Sequence, residues 1–173
     1  MKLIKTINVM GETDIMDEYK IRAMRRKNLK IDDRKANSIL TMGEYGVLST
    51  VDKHGQPYGV PLNYVYQDGC IYFHAAQAGH KIDNIAFNNR VSFCVVGKTK
   101  VIQSEFTTKY ESVICFGKAG LIEEEEKLNA LIWLLEKYTP DHLVNGRKTI
   151  DKTLKNVAVI KIEIEYITGK ASK

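Results

Sequence analysis

Gly46-Val47-Leu48-Ser49-Thr50-Val51, the turn Asp52-Lys53-His54-Gly55 and the run Pro57-Tyr58-Gly59-Val60-Pro61-Leu62-Asn63-Tyr64-Val65-Tyr66 read as a strand, a reversal and a second strand rich in Tyr and Val. Asp68-Gly69 then turns the chain into a third strand, Cys70-Ile71-Tyr72-Phe73-His74-Ala75. β-Branched and aromatic residues suit a pleated, half-buried surface, and Asp-Gly accepts the positive φ angles of a tight hairpin turn. Three consecutive antiparallel strands with short turns form a meander, and such sheets often close into barrels. The fold class expected is mainly β, with peripheral helices.

Around this meander the hydrophobic period changes. Asp32 caps a helix over about residues 33–42, with Ile39 and Leu40 turned inward and Gly43 ending it. A short amphipathic helix follows the third strand, from about Gly79 to Asn89, with Ile82, Ile85 and Ala86 on one face. Val91 to Val96 and Tyr110 to Leu121 read as longer strands. Glu123 to Glu126 precede a helix with Leu128, Leu131, Ile132 and Leu135 on one stripe; first-turn carboxylates complement the helix dipole and need no metal to explain them. Trp133 and Leu134 fall off that stripe, which points to a second apolar contact at a subunit interface or cofactor edge. Thr139-Pro140-Asp141 breaks the helix, and Val157 to Ile167 alternates as a half-exposed strand. One β-rich domain over residues 21–173 is expected, after a partly disordered segment at residues 1–20.

The chain has 173 residues, enough to bury about 70 % of its unfolded surface in one core. Its longest apolar run, Ala130 to Leu135, is far short of the roughly 20 residues that cross a bilayer as a helix, so no membrane partner is expected. The first residues have no apolar export segment, and Cys70, Cys94 and Cys115 are unpaired in spacing; both point to reduced core thiols in a cytoplasmic protein. Residues 1–35 hold ten Lys or Arg against six Asp or Glu, so +4 of the net charge of +5 lies there. Lys20, Arg22, Arg25, Arg26, Lys27 and Lys30 could meet a cofactor phosphate or an acidic surface; a solvated face is the commoner use of such a run. Nucleic acid is not expected, because no recognition motif or interleaved aromatic accompanies them.

The junction His74-Ala75-Ala76-Gln77-Ala78-Gly79-His80-Lys81 is where an anion would bind: a strand ends, a helix begins, and the first helical N–H groups lack intrahelical partners beside the cation of Lys81. A flavin mononucleotide (FMN) phosphate suits it; the bland alternative is a loop glycine and a solvated lysine. Gly97-Lys98-Thr99 imitates a phosphate loop, but Ser92 stands where that loop needs glycine. The histidines His54, His74, His80 and His142 lack zinc spacing, and no Gly-x-Ser-x-Gly elbow is present. Metal is therefore not expected, and chemistry should come from an organic cofactor.

Taken in order, Met24-Arg25-Arg26, Gly46-Val47-Leu48-Ser49, Pro57 to Tyr64, Ile71 to Ala76 with Gly79-His80-Lys81, Tyr110 to Ala119 and Ile167-Thr168-Gly169-Lys170 resemble the flavin-binding split barrels related to pyridoxamine 5′-phosphate oxidase, in their nitroimidazole-resistance-like branch. The resemblance covers about Arg25 to Lys170. It implies a Greek-key split β-barrel that forms a homodimer with two FMN sites shared between subunits. It places the flavin ring along Val60-Pro61-Leu62-Asn63 and beside Phe73, His74 and Ala75, and the phosphate at Gly79, His80 and Lys81; Arg25 or Arg26 is the alternative phosphate ligand, and Ser112 is expected near the flavin unless it merely pairs with backbone. Relatives often have arginine where this chain has His80, and an imidazole carries less charge at neutral pH, so Lys81 and the helix N–H groups would take more of the phosphate. By the same resemblance His74 faces the pocket as a proton donor to a small-molecule substrate; otherwise it simply ends a strand. An oxidoreductase acting on a small electron acceptor follows. The alternatives are a haem- or flavin-binding protein without turnover, and a pyridoxamine 5′-phosphate oxidase proper, for which basic residues for a second phosphate are not evident near the C-terminus.

Overall fold

A computed structural model describes residues 22–172 and, before them, only two short paired strands, β1 (Thr6–Ile7) and β2 (Thr13–Asp14). Otherwise residues 1–21 lie outside the described residues, and with them both the segment expected to be disordered and Lys20 of the basic run. Seven antiparallel strands make the body: β3 (Gly46–Val51), β4 (Pro57–Leu62), β5 (Val65–Gln67), β6 (Cys70–Ala76), β7 (Arg90–Ile102), β8 (Thr107–Ile122) and β9 (Val157–Ser172). Their order across the sheet is β4-β3-β7-β8-β9-β6-β5.

The hairpins β3–β4 and β5–β6 form as expected, and Asp68 and Gly69 turn the second with φ of 50° and 78°. The meander does not. The run 57–66 breaks after Leu62, and its two halves pair at opposite edges of the sheet. A flat sheet of seven strands would be about 29 Å wide. Asn63 and Tyr64 alone join the edges, and that link spans at most about 10 Å. The sheet therefore has to curl until its edges meet, which is the split barrel, with the split at Asn63-Tyr64.

At the split, backbone groups that a neighbouring strand would satisfy are met by Tyr138 instead. Its hydroxyl accepts the N–H of Tyr64 at 3.0 Å and lies 2.6 Å from the carbonyl of Glu44 and 2.9 Å from that of Tyr64. The Tyr64 side chain is fully buried, donates to the carbonyl of Leu40 at 2.6 Å and meets Phe93 edge-on at 5.0 Å.

Helix α1 (Asp33–Met42) begins at Asp32, whose carboxylate accepts the N–H of Lys35 at 2.7 Å, and it buries Ala36, Ile39 and Leu40. It stops at Gly43 as expected, but with φ −64°, so no left-handed cap is involved. Glycine is needed there for room: a Cβ would stand 2.6 Å from the Tyr64 hydroxyl and 2.6 Å from Val95. Helix α2 (His80–Phe87) is shorter than expected, and α3 (Glu124–Tyr138) and α4 (Leu143–Thr153) cover β5, β6 and β9. The most deeply buried stripe of α3 is Lys127, Ala130, Leu131 and Leu134, rather than one through Leu128, Ile132 and Leu135. Trp133 packs edge-on against Tyr72 at 5.3 Å, so its extra apolar contact is within the chain.

The barrel interior holds Leu48, Phe73, Phe93, Val95, Val113, Cys115, Ile160 and Ile162, and a second core lies between α3 and the sheet. Cys115 is a core thiol, but Cys70 and Cys94 are only half-buried, a departure from the expectation that all three are internal. No described helix is long and apolar enough to cross a membrane.

Tyr138→Phe keeps the ring and removes the hydroxyl, leaving the Tyr64 N–H and the Glu44 carbonyl unmatched. It should lower stability by about 1–3 kcal/mol, read as a reduced urea midpoint at constant slope.

The neighbouring Lys137 amine is buried without a hydrogen-bond partner, 4.2 Å over the Tyr64 ring, and burial pushes it down from 10.5 to about 8. Between those values the unfolded chain holds a proton that the folded chain has released, so this lysine makes stability rise with pH across that window. Cys115 and Tyr72, both pushed up to about 12 by burial, act in the opposite direction. The lysine is isolated by comparison: the stability advantage of Lys137→Met over the wild type should be greatest near pH 7 and shrink towards pH 10, measured by urea unfolding at each pH.

Candidate functional site

Strand alternation divides the expected residues before any pocket is considered. Phe73 and Ala75 point into the barrel core, and Val60 and Leu62 pack against the same core from β4. His74, Pro61 and Asn63 are exposed on the opposite side. Phe73, Ala75 and Val60 can therefore offer a ligand mainly their backbone, while His74, Pro61 and Asn63 present side chains. Both prolines of β4, Pro57 and Pro61, sit on an edge strand, where a missing N–H breaks no ladder.

Barrel closure brings the end of β4 beside β6, so that Leu62, Asn63 and His74 line one groove with α3 and α4. The other end of β4 meets the start of α2. There the His80 ring lies 4.2 Å from that of Tyr58. Asn84, buried within α2, donates to the Thr50 hydroxyl at 2.9 Å and ties the helix to β3.

Gly79 precedes α2 with φ +132°, a conformation that favours glycine, and its carbonyl accepts from Ile82 and Asp83 at 2.8 and 3.1 Å. The N–H groups of His80 and Lys81 and the Lys81 ammonium have no partner among the described residues. Two free donors, the positive helix end and a lysine make a cradle for an anion. Asp52 lies near it: its carboxylate accepts the N–H groups of Gln56 and His54, both at 2.8 Å. The bond from Gln56 foremost, then that from His54 and the nearby imidazoles of His54 and His80, hold it below the usual carboxylate range. The fixed cation of the cradle is Lys81.

From Tyr58 to Leu62 the strand rises about 13 Å, a mononucleotide-sized span between the cradle and His74. Ser112 stands on another strand of the same protomer. It lies on β8, three strands or about 14 Å across the sheet from β4, in a row with Val96 and Lys170 on the outer face. Arg25 is exposed in the segment that runs beside the end of β9, where Ile31 donates to Gly169 at 3.1 Å.

The outer face that carries Ser112 mixes half-buried and exposed apolar side chains with small hydroxyls. Val47, Cys94 and Ile114 align with Thr168 in one cross-strand row, and Ser49, Ser92, Phe116 and Tyr166 in the next. The sequence reading missed the groove wall supplied by Tyr138, His142, Asn145 and Thr149. A polar i, i+4 spacing from Asn145 to Thr149 to Thr153 was available as a signal, but nothing in the sequence says what that face opposes.

Among solved structures the chain is similar to a candidate 5-nitroimidazole antibiotic resistance protein from Bacteroides thetaiotaomicron, at 29 % identity over 84 % of this chain and 90 % of that one, with a TM-score of 0.72. It is also similar to an FAD-binding protein from Mesorhizobium loti (25 % identity, 83 % and 97 % coverage, TM-score 0.58). A third likeness, to the flavocytochrome Anf3 of Azotobacter vinelandii (20 % identity, 87 % and 72 % coverage, TM-score 0.73), is one of fold. No curated protein matches the chain. The family model for pyridoxamine 5′-phosphate oxidase matches residues 32–171, nearly the whole of the described barrel and its helices, and the chain belongs to that family.

Proposed function

We propose that the protein binds FMN along β4 and acts as a homodimeric, cytoplasmic oxidoreductase on a small electron-accepting molecule. The observation that carries this reading is the free anion cradle of His80, Lys81 and the α2 N-terminus at one end of β4, with His74 at the other. The similarity to an FAD-binding protein supports a flavin there. When bound, the flavin supplies the two-electron transfer.

The chain's own residues do the rest. Lys81 and the first N–H groups of α2 hold the phosphate, the outward Pro61 and Asn63 back the ring, and His74 gives up a proton from an imidazole nitrogen to the acceptor. The second subunit has a specific task in this reading. Ser112 would join the site from a partner, because in its own protomer it lies three strands from β4, and the partly apolar rows on the same outer face are what a partner would cover.

Lys81→Ala should weaken FMN binding by about 1.5–3 kcal/mol and leave riboflavin, which lacks the phosphate, almost unaffected. Followed by light scattering, the same titration should find FMN only on a species of twice the 19.7 kDa monomer. FMN bound equally well by the variant, or bound to a monomer, would overturn the cradle or the shared site respectively. A strong Soret band in the purified protein would instead favour a haem protein.

His74→Ala should retain FMN and slow reoxidation of the dithionite-reduced protein by a nitroaromatic acceptor by about 10²–10⁴-fold. Stopped-flow absorbance at equal flavin content measures it, and equal rates from pH 5 to 8 would reduce His74 to a strand-end residue.

A further inference from the structure

The groove between the barrel and the pair α3–α4 has a volume of about 660 Å³, within the range of about 300–1,000 Å³ that holds small organic ligands. Its two walls differ in kind. Helix α3 contributes Leu131, Leu134 and Leu135, and Ile150 and Val157 continue the apolar surface. The facing turns of α4 contribute His142, Asn145, Thr149 and Thr153. The helices meet closely at Gly146, where a Cβ would collide with Leu135. That contact forms the junction of the two walls.

The polar wall is biased in what it can accept. Thr149 donates its hydroxyl proton to the Asn145 carbonyl at 3.1 Å, and Thr153 donates to Thr149 at 2.8 Å. A hydroxyl has one proton, so both oxygens keep lone pairs to accept with and no proton to offer a ligand. Among the described residues no Lys, Arg, Asp or Glu lines the groove. An ionised group entering it would lose hydration and meet at most the imidazoles of His74 and His142, and a phosphate would find none of the lysines or arginines that normally hold one.

From these features we infer that the α3–α4 groove binds a neutral, largely apolar aromatic molecule carrying a hydroxyl or amino donor towards α4, and that it excludes phosphorylated ligands. Such a ligand lays its ring on Leu131, Leu134 and Leu135 and donates to Thr149 Oγ1, with His74 at the β6 end of the groove. This specificity differs from that of an enzyme whose substrate is itself a phosphate ester. The inference goes beyond the flavin reading: it shares Leu62, Asn63 and His74 with the proposed flavin site but does not need flavin to be present.

The test is calorimetric titration of the full-length, flavin-free chain with a matched series: naphthalene, 1-naphthol and 1-naphthyl phosphate. 1-Naphthol should bind saturably, about 5- to 10-fold more tightly than naphthalene, the worth of one neutral hydrogen bond. 1-Naphthyl phosphate should bind at least about 10-fold more weakly than 1-naphthol. Thr149→Val should remove the advantage of naphthol over naphthalene while keeping naphthalene binding, and Thr149→Trp, from an exposed position, should block both. The inference is overturned if 1-naphthol shows no saturable binding, if the phosphate ester binds as well as the alcohol, or if both Thr149 variants bind 1-naphthol like the wild type. None of these readings involves flavin, so loss of the FMN proposal would leave this result standing, and the reverse.

Discussion

Everything in this protein hangs on two residues that must connect the two edges of one sheet. Asn63 and Tyr64 join β4 to β5 across the whole seven-strand order, and so short a link is compatible only with a curled sheet. Closure leaves a gap in the hydrogen-bond ladder at a point that is largely buried, where unpaired backbone groups are costly. One phenol fills it. Tyr138 reaches in from the end of α3 to the Tyr64 backbone and to the loop after α1, and Tyr64 in turn fixes Leu40 and fills the space left by Gly43. Helix α3, helix α1 and both sheet edges are thereby held by a single cluster.

The same closure builds the site. Strand β4 runs along the split with its inward residues in the core and its outward residues free, so the elements that stabilise the barrel also present Pro61, Asn63 and His74 to the outside. The alternation is strict: Phe73 and Ala75 cannot leave the core to meet a ligand without turning His74 inward. Stability and ligand contact are thus divided between the two faces of the same short strands.

Charge is divided in a similar way. Positive charge and free N–H donors collect at the start of α2, beside Tyr58, whereas among the described residues the α3–α4 groove at the other end of β4 contains no charged side chain apart from what its histidines carry. The two ends of β4 thus differ in the charge they can meet.

The sequence alone determined much of this. Strand alternation, the Asp68-Gly69 turn, the Asp32 cap and the strand-to-helix junction at Gly79-His80-Lys81 are set by residues close together in the chain, where local sterics and hydrogen bonding decide the outcome. The family was legible for the same reason, since its motifs are such local pieces in a fixed order. Only the tertiary structure decided where the halves of the run 57–66 go, because Leu62 and Val65 look alike in sequence whether the strand continues or splits. Gly43 reads as an ordinary helix stop, yet its purpose is the close approach of Tyr64, a residue 21 positions away. The groove was hidden for a like reason: Thr149 and Leu134 lie on different helices, and the packing at Gly146 and the clamp at Tyr138, rather than any local pattern, bring their faces together.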